Sequence, residues 1–134
     1  MEYDAGWSGR FETIAARIRT ALGPDAAVEH IGSTSVPGLA AKPITDVLLV
    51  VDDLANEVAY VAPLSRSGLV LRAREPGHRL LRTPELDVHI HVYEVGAPEI
   101  AANLDLRDWL RTSPSDRALY AAAKRRLANQ QWGT

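Results

Sequence analysis

Hydrophobic and polar positions recur along the chain with two periods, and each period predicts a different kind of element. Apolar residues at helical spacing from Phe11 to Leu22 predict a helix, which Gly23 and Pro24 then end. Apolar residues at every second position from Val88 to Val92 predict a strand with one buried face. A nearly continuous apolar run from Ile44 to Val51 predicts a strand buried on both faces. In all, strands are predicted at 27–31, 44–51, 69–71, 78–82 and 87–93, and helices at 11–22, 54–64, 97–111 and 114–131.

Turn and capping residues mark several of these boundaries. Asp52 and Asp53 are suited to cap the helix whose apolar stripe is Leu54, Val58, Val61 and Leu64. Leu39 follows a turn and could begin a short helix, while Ser113 is predicted to cap the last helix together with Asp116. The order of elements is helix, strand, short helix, strand, helix, three strands and two helices. It predicts an α/β or α+β fold with a mixed sheet.

Composition narrows the class of protein. The chain has 134 residues, 46% of them hydrophobic, which fits one globular domain over residues 1–134. It has no cysteine, which excludes disulfides and cysteine-ligated zinc, and its net charge of −2 does not indicate a nucleic-acid polymer as partner. The longest apolar run, Val47 to Val51, is far shorter than the ~20 residues of a membrane span, and Met1 to Arg10 do not have the pattern of a signal peptide. We expect a cytoplasmic domain with no membrane partner, and none of these features assigns an oligomeric state.

A glycine-rich turn follows the first predicted strand. Gly32 and Gly38 are separated by five residues, and Lys42 comes four positions later, so the spacing is not that of a P-loop. A strand that ends in Gly-Ser-Thr nevertheless presents backbone N–H groups and hydroxyls to an anion. The alternative is structural, with Gly32 making a tight turn and Ser33 capping a helix.

Asp46 is a lone carboxylate in an otherwise apolar predicted strand. An ionised carboxylate in such surroundings requires a cation or hydrogen-bond donors. Lys42 or a metal ion could meet this need at a functional site, and a structural ion pair is the alternative.

Asp87, His89 and His91 occupy one face of a predicted strand, about 7 Å apart. Imidazoles at this spacing can ligate a metal that a carboxylate helps to hold, although solvated polar residues would give the same pattern. Two further groups of basic residues suit phosphate: His78, Arg79 and Arg82 on one strand, and Arg107 on a helix. Arg111, one helical turn after Arg107, is interpreted as a surface residue.

Longer stretches carry a specific resemblance. The block from Glu29 to Val47 resembles the signature of the GrpB family, and the similarity continues at 75–79, 88–92 and 106–111 and at Tyr120 and Lys124. That family is similar in fold to the nucleotidyltransferase superfamily, which places Gly-Ser after the first strand and Asp-x-Asp or Asp-x-Glu on the second. The resemblance therefore implies a mixed β-sheet flanked by helices, with a helical C-terminus. Gly32, Ser33 and Asp46 match the superfamily scheme, whereas Leu48 stands where the second acid is expected.

These observations lead to one main hypothesis. We expect a site that binds a phosphorylated small molecule or nucleotide and would support transfer of a nucleotidyl group. Asp46 and the face of Asp87, His89 and His91 should converge beside Gly32. The predicted catalytic residues are Asp46, His89 and His91; the predicted ligand-binding residues are His30, Gly32, Ser33, Thr34, Lys42, His78, Arg79, Arg82 and Arg107; and the predicted ligands of Mg²⁺, Mn²⁺ or Zn²⁺ are Asp46, Asp87, His89 and His91.

Leu48 leaves two alternatives open, because without a second acid a two-metal clamp is incomplete. The first is a small-molecule biosynthetic enzyme that uses the Asp and His cluster without nucleotidyl transfer. The second is a noncatalytic binding or folding-accessory domain that retains the pocket.

Overall fold

The computed structural model describes residues 2–85 and 87–132, with side chains described as far as residue 123. Lys124, quoted above for the family resemblance, therefore has its side chain outside the described residues. The helices are α1 (Gly6–Leu22), α2 (Val61–Arg66), α3 (Pro98–Thr112) and α4 (Pro114–Trp132). The strands are β1 (Ala27–Ile31), β2 (Thr45–Val51), β3 (Val70–Glu75), β4 (His78–Arg82) and β5 (Val88–Glu94). No helix in this part of the chain combines the length and the apolar character needed to cross a membrane.

The strands form one sheet in the order β1-β2-β5-β4-β3. The β2 and β5 strands are parallel and the other pairs are antiparallel, so the sheet is mixed. In the parallel pair Asp46 is opposite His89 and Leu48 is opposite His91. This register brings the polar residues of two distant segments to one place, and the predicted class of fold is confirmed.

The two faces of the sheet have different roles. One face carries Val47, Leu49 and Ile90, which pack against residues of α1 and α2 such as Ile18 and Leu64 in the main core. Because side chains alternate along a strand, Asp46, His89 and His91 lie on the other face. We call this second face of the sheet the polar face.

The segment after β1 is held by a smaller cluster. Val36 and Leu39 pack against Leu110 of α3, with Tyr120 of α4 partly buried beside them. The short helix predicted from Leu39 is wrong, because residues 39–42 are irregular. The Leu39 side chain is instead buried in this cluster, and no helical turn forms after it.

Three further predictions need correction. The first helix begins at Gly6 rather than Phe11 and buries Trp7, which is 1% exposed. The helix predicted over 54–64 is instead a 3-10 turn, Glu57–Ala59, followed by α2, and Val58 is exposed. The Tyr60 hydroxyl donates to the Leu54 carbonyl, which in a helix would accept from the backbone N–H of Val58. The strand predicted at 69–71 is longer than expected, because β3 runs to Glu75.

The boundary between α3 and α4 has the predicted cap. The Ser113 hydroxyl donates to Asp116 Oδ2 at 2.6 Å and accepts from the Asp116 backbone N–H at 3.4 Å. The second bond pairs the Asp116 backbone N–H, which has no partner within the first turn of α4, and the first bond fixes the Asp116 side chain to the capping hydroxyl.

Candidate functional site

The turn that follows β1 packs directly on Asp46. Gly32 has φ +73°, and a Cβ added there would lie 2.6 Å from Asp46 Oδ2. Ser33, Thr34 and Ser35 form a single buried 3-10 turn. The Thr34 hydroxyl donates to the Ile44 carbonyl at 3.2 Å, which ties the turn to the residue before β2. Gly32 therefore permits a close approach between the turn and the carboxylate.

Asp46 lies within reach of two imidazoles of β5. Its Oδ1 is 3.1 Å from His91 Nε2 and 3.9 Å from His89 Nδ1. One ligand atom from each of the three residues lies within 4.8 Å of the others, and each residue is partly exposed. The structure thus brings Asp46, His89 and His91 together beside Gly32, and we call these three residues the Asp-His cluster.

His78 extends this cluster along the sheet. Its Nε2 is 3.3 Å from His91 Nδ1, and the two rings stack with centroids 5.5 Å apart. On the outer side, His78 Nδ1 is 3.8 Å from Glu75 Oε2. Burial, together with the neighbouring His91, lowers the pKa of His78. The sequence pattern assigned His78 to phosphate binding and gave no sign of this contact with His91.

Asp87 does not join the Asp-His cluster that the described residues form. It precedes the first residue of β5, and its Oδ1 accepts a 2.6 Å hydrogen bond from the Thr83 hydroxyl. It lines a separate cavity of about 360 Å³ with Arg10 and Arg17 of α1. His89 and His91 share a strand face as predicted, whereas Asp87 precedes the strand and has other partners.

The basic residues of β4 are divided between the two faces of the sheet. Arg82 is opposite His89 in the register and lies on the polar face. Arg79 is opposite Val92 and lies on the other face, where its Nε is 2.9 Å from Glu57 Oε2. Hydrogen bonds from Arg74 and Arg79 lower the pKa of Glu57 to about 2. Arg79 is therefore engaged in an ion pair away from the Asp-His cluster.

Two arginines of α3 hold the turn after β1. Arg107 Nη1 donates to Glu29 Oε2 at 2.8 Å and to the His30 carbonyl at 3.1 Å. Arg111 Nε donates to the Ser35 carbonyl at 2.9 Å, and burial, with Arg107 nearby, lowers its pKa. Sequence reasoning missed Arg111, although its spacing of four residues from Arg107 places both on one side of the helix. By contrast, the predicted Lys42 is exposed in the irregular segment before β2.

His30 lies behind the turn on the helix-covered face. Its ring stacks on Phe11 of α1 with centroids 4.9 Å apart, and its Nε2 is 3.0 Å from the Thr34 hydroxyl. Burial, reinforced by Arg111, lowers the pKa of His30 to about 4. The imidazole is therefore neutral at pH 7, and its geometry supports the turn from behind.

The donor set determines which metal these residues fit. Leu48 lies on the same face as Asp46 and is fully buried at 0% exposure. Because this residue is a leucine, the position supplies no second carboxylate. Two Mg²⁺ ions held by paired acids do not fit such a site, because Mg²⁺ requires oxygen ligands. Two imidazoles and one carboxylate fit a single transition-metal ion such as Zn²⁺ or Mn²⁺.

Comparison with known sequences places the chain in a family. The family model GrpB, described as GrpB protein, matches residues 1–134. A UPF0157 protein of Streptomyces coelicolor is 53% identical over 131 residues, covering 98% of this chain and 70% of that protein. A UPF0157 protein of Halalkalibacterium halodurans is 51% identical over 136 residues, with the same two coverages of 98% and 70%. A dephospho-CoA kinase of Mycolicibacterium paratuberculosis is 30% identical over 152 residues, covering 91% of this chain and 37% of the kinase.

Comparison with solved structures agrees. The crystal structure of the conserved protein GrpB from Enterococcus faecalis has a TM-score of 0.84 at 34% identity, covering 97% of this chain and 82% of that one. The Cid1 poly(U) polymerase bound to MgATP has a TM-score of 0.68 at 14% identity, covering 97% and 45%. The second likeness is one of fold, and it shows that the sheet and helices are arranged as in nucleotidyltransferases.

Proposed function

The chain belongs to the GrpB family, and we propose that its polar face binds a phosphorylated small molecule or a nucleotide beside Asp46. The observation that carries the proposal is the contact between the Gly32 turn and Asp46, where an added Cβ would lie 2.6 Å from the carboxylate. This contact places a turn that carries hydroxyl groups next to a carboxylate, within a fold similar to that of nucleotidyltransferases. A ligand phosphate would lie on the polar face, beside both the turn and the Asp-His cluster.

Cations on two sides suit a phosphate at this position. Arg111 donates through Nε to the carbonyl of Ser35, and no ion pair between its guanidinium and a carboxylate is present among the described side chains. Arg82 extends from β4 on the same face as His89. Arginine matches phosphate oxygens with paired N–H donors, so Arg82 stays in the predicted set and Arg111 replaces Arg79.

Asp46, His89 and His91 would hold one divalent ion such as Mn²⁺ or Zn²⁺. When bound, the ion would polarise a phosphate oxygen of the ligand. Without the ion, the same side chains would orient the phosphate. His89 would then hold or accept a proton at Nδ1, which lies 3.9 Å from Asp46 Oδ1.

A second candidate function rests on Leu48. A leucine stands where two-metal nucleotidyl transfer requires an acid, which favours a small-molecule enzyme that uses the Asp-His cluster for another reaction. We therefore expect slow or absent transfer from ATP, CTP, GTP or UTP with Mg²⁺. The region similar to this chain within a dephospho-CoA kinase supports a role near phosphorylated ligands under either candidate.

A thermal-shift screen tests the proposal. ATP, CTP, GTP, UTP and pyrophosphate would be added with and without Mg²⁺, Mn²⁺ or Zn²⁺ to the wild type and to Asp46→Asn. A ligand at 100 times its Kd stabilises the folded state by about 2.7 kcal/mol, which raises Tm by about 10 °C for a domain of this size. We expect such a rise in the wild type and a much smaller one in Asp46→Asn. No rise with any phosphate compound, or equal rises in both proteins, would contradict the proposal.

A further inference from the structure

We propose that His78 is a positioning residue for the Asp-His cluster, and that it holds His91 with Nε2 directed toward a bound transition-metal ion. This inference rests on the metal site of the proposed function and extends it to a residue outside the three ligands. Four side chains contact one another in series, Asp46 with His91, His91 with His78, and His78 with Glu75, and the proposal assigns a role to His78 in this series.

Both nitrogens of His91 are engaged. Nε2 is 3.1 Å from Asp46 Oδ1, and Nδ1 is 3.3 Å from His78 Nε2. A rotation of the His91 ring would therefore break two contacts at once. His78 is itself held, because its ring packs on His91 with centroids 5.5 Å apart and on Tyr93 with centroids 4.9 Å apart.

The chemistry of a metal-bound histidine fits this chain of contacts. A nitrogen that ligates a metal carries no proton, so with Nε2 as the ligand the proton of neutral His91 is on Nδ1. Nδ1–H would then donate to His78 Nε2, and His78 would carry its own proton on Nδ1, which lies 3.8 Å from Glu75 Oε2. Metal-ligating histidines commonly donate their second N–H to an outer partner in this way, and removing that partner costs 10–100-fold in metal affinity.

His78 is not placed as a ligand. In the described part of the chain, the group of three residues whose ligand atoms, one from each, all lie within 4.8 Å of one another is Asp46, His89 and His91. His78 contacts the nitrogen of His91 that does not contact Asp46. Its effect on a metal therefore passes through His91.

The test is the affinity for Zn²⁺ alone, measured by competition with a chromophoric chelator, together with the visible absorption of the Co²⁺ form. The proteins are the wild type, His78→Ala, His78→Gln and the control Arg72→Gln, which alters an exposed side chain of β3. We expect His78→Ala to bind Zn²⁺ about 10–100-fold more weakly, with the Co²⁺ spectrum at saturation unchanged because the ligands remain. His78→Gln, whose amide can hydrogen-bond to His91, should recover most of the loss, and Arg72→Gln should match the wild type. Circular dichroism checks that each variant is folded.

Three outcomes would overturn the inference. Equal Zn²⁺ affinity in His78→Ala and the wild type would show that His78 does not position His91. A saturated Co²⁺ spectrum that loses a nitrogen ligand in His78→Ala would make His78 a direct ligand. Absence of Zn²⁺ binding in the wild type would remove the metal site on which the inference rests, while phosphate-compound binding by the same sample would show that the proposed ligand site stands without it.

Discussion

Replacing Gly32 by alanine should damage the candidate site more than its small size suggests. Gly32 has φ +73° and ψ −175°, a backbone region that is essentially confined to glycine and costs other residues about 1–3 kcal/mol. The added Cβ would also lie 2.6 Å from Asp46 Oδ2 and 3.1 Å from Asp46 Cβ, so the strand residue itself would have to shift. Overpacking of this kind costs about 1–3 kcal/mol more. We expect a total loss of about 2–6 kcal/mol in the free energy of unfolding.

Gly77 provides a matched control. It has φ +74°, nearly the same as Gly32, but a Cβ added there meets no described heavy atom within 4 Å outside its chain neighbours. Gly77→Ala should therefore cost about 1–2 kcal/mol, the effect of a positive φ alone. The difference between the two variants reports the contact with Asp46 together with the stricter backbone region of Gly32.

Urea denaturation followed by circular dichroism gives both free energies, and Zn²⁺ competition on the same samples reports on the site. Gly32→Ala should lose at least tenfold in Zn²⁺ affinity, while Gly77→Ala should keep it. Combining Gly32→Ala with Asp46→Ala should cost less than the sum of the two single changes, since the clash with the carboxylate is gone. If Gly32→Ala is no more destabilising than Gly77→Ala and binds Zn²⁺ normally, the close approach between turn and carboxylate is refuted.

Three further predictions address the acid that is missing from β2, the core and the buried histidine. Leu48→Asp should lower the free energy of unfolding by about 2–5 kcal/mol, because the new carboxylate is buried, and raise Mg²⁺ affinity at least tenfold in a calorimetric titration, because that carboxylate shares the face of Asp46. Leu48→Asn should lose similar stability without the gain in Mg²⁺ affinity. Equal Mg²⁺ affinity in the two variants would contradict this prediction. Val47→Ala should lower the free energy of unfolding by about 1–4 kcal/mol in urea denaturation, because it opens a cavity in the main core. Ser33→Ala should weaken the binding of phosphate compounds with little loss of stability. A Ser33→Ala variant that loses stability but binds phosphate compounds normally would favour a structural turn. Since the folded-state pKa of His30 is about 4 and its usual value is 6.5, the unfolded chain takes up the proton first, and stability should fall by about 3 kcal/mol as the pH drops from 6.5 to 4. That fall should be absent in His30→Gln, and a slope that persists in this variant would show that another group is responsible.

The sequence predicted the fold best where the signal was local. The strands at 27–31 and 78–82 have the predicted bounds, and the alternating strand predicted at 87–93 is observed as Val88–Glu94. The helix predicted over 54–64 is absent where the Leu54 carbonyl, which in a helix would accept from the Val58 N–H, accepts instead from the hydroxyl of the buried Tyr60. Helical spacing does not report that a side chain takes the place of a backbone donor.

The candidate site shows the same division. Strand alternation correctly placed His89 and His91 on one face, but only the parallel pairing of β2 with β5 determines that Asp46 lies opposite His89. Arg79 follows His78 directly, so strict alternation assigns these two residues to opposite faces, and the prediction that grouped them did not use this rule. The partner of Arg79, Glu57, lies in a 3-10 turn that has no recognisable sequence signal.

Calorimetric titration of nucleoside triphosphates and pyrophosphate, in the presence of Mn²⁺ or Zn²⁺, determines whether Asp46 and its neighbours form a binding site for a phosphorylated ligand. We predict saturable binding of at least one of these compounds by the wild type, with at least tenfold weaker binding by Asp46→Asn and unchanged binding by Arg72→Gln. An absence of binding by the wild type, or equal affinity in Asp46→Asn, would contradict the proposed site.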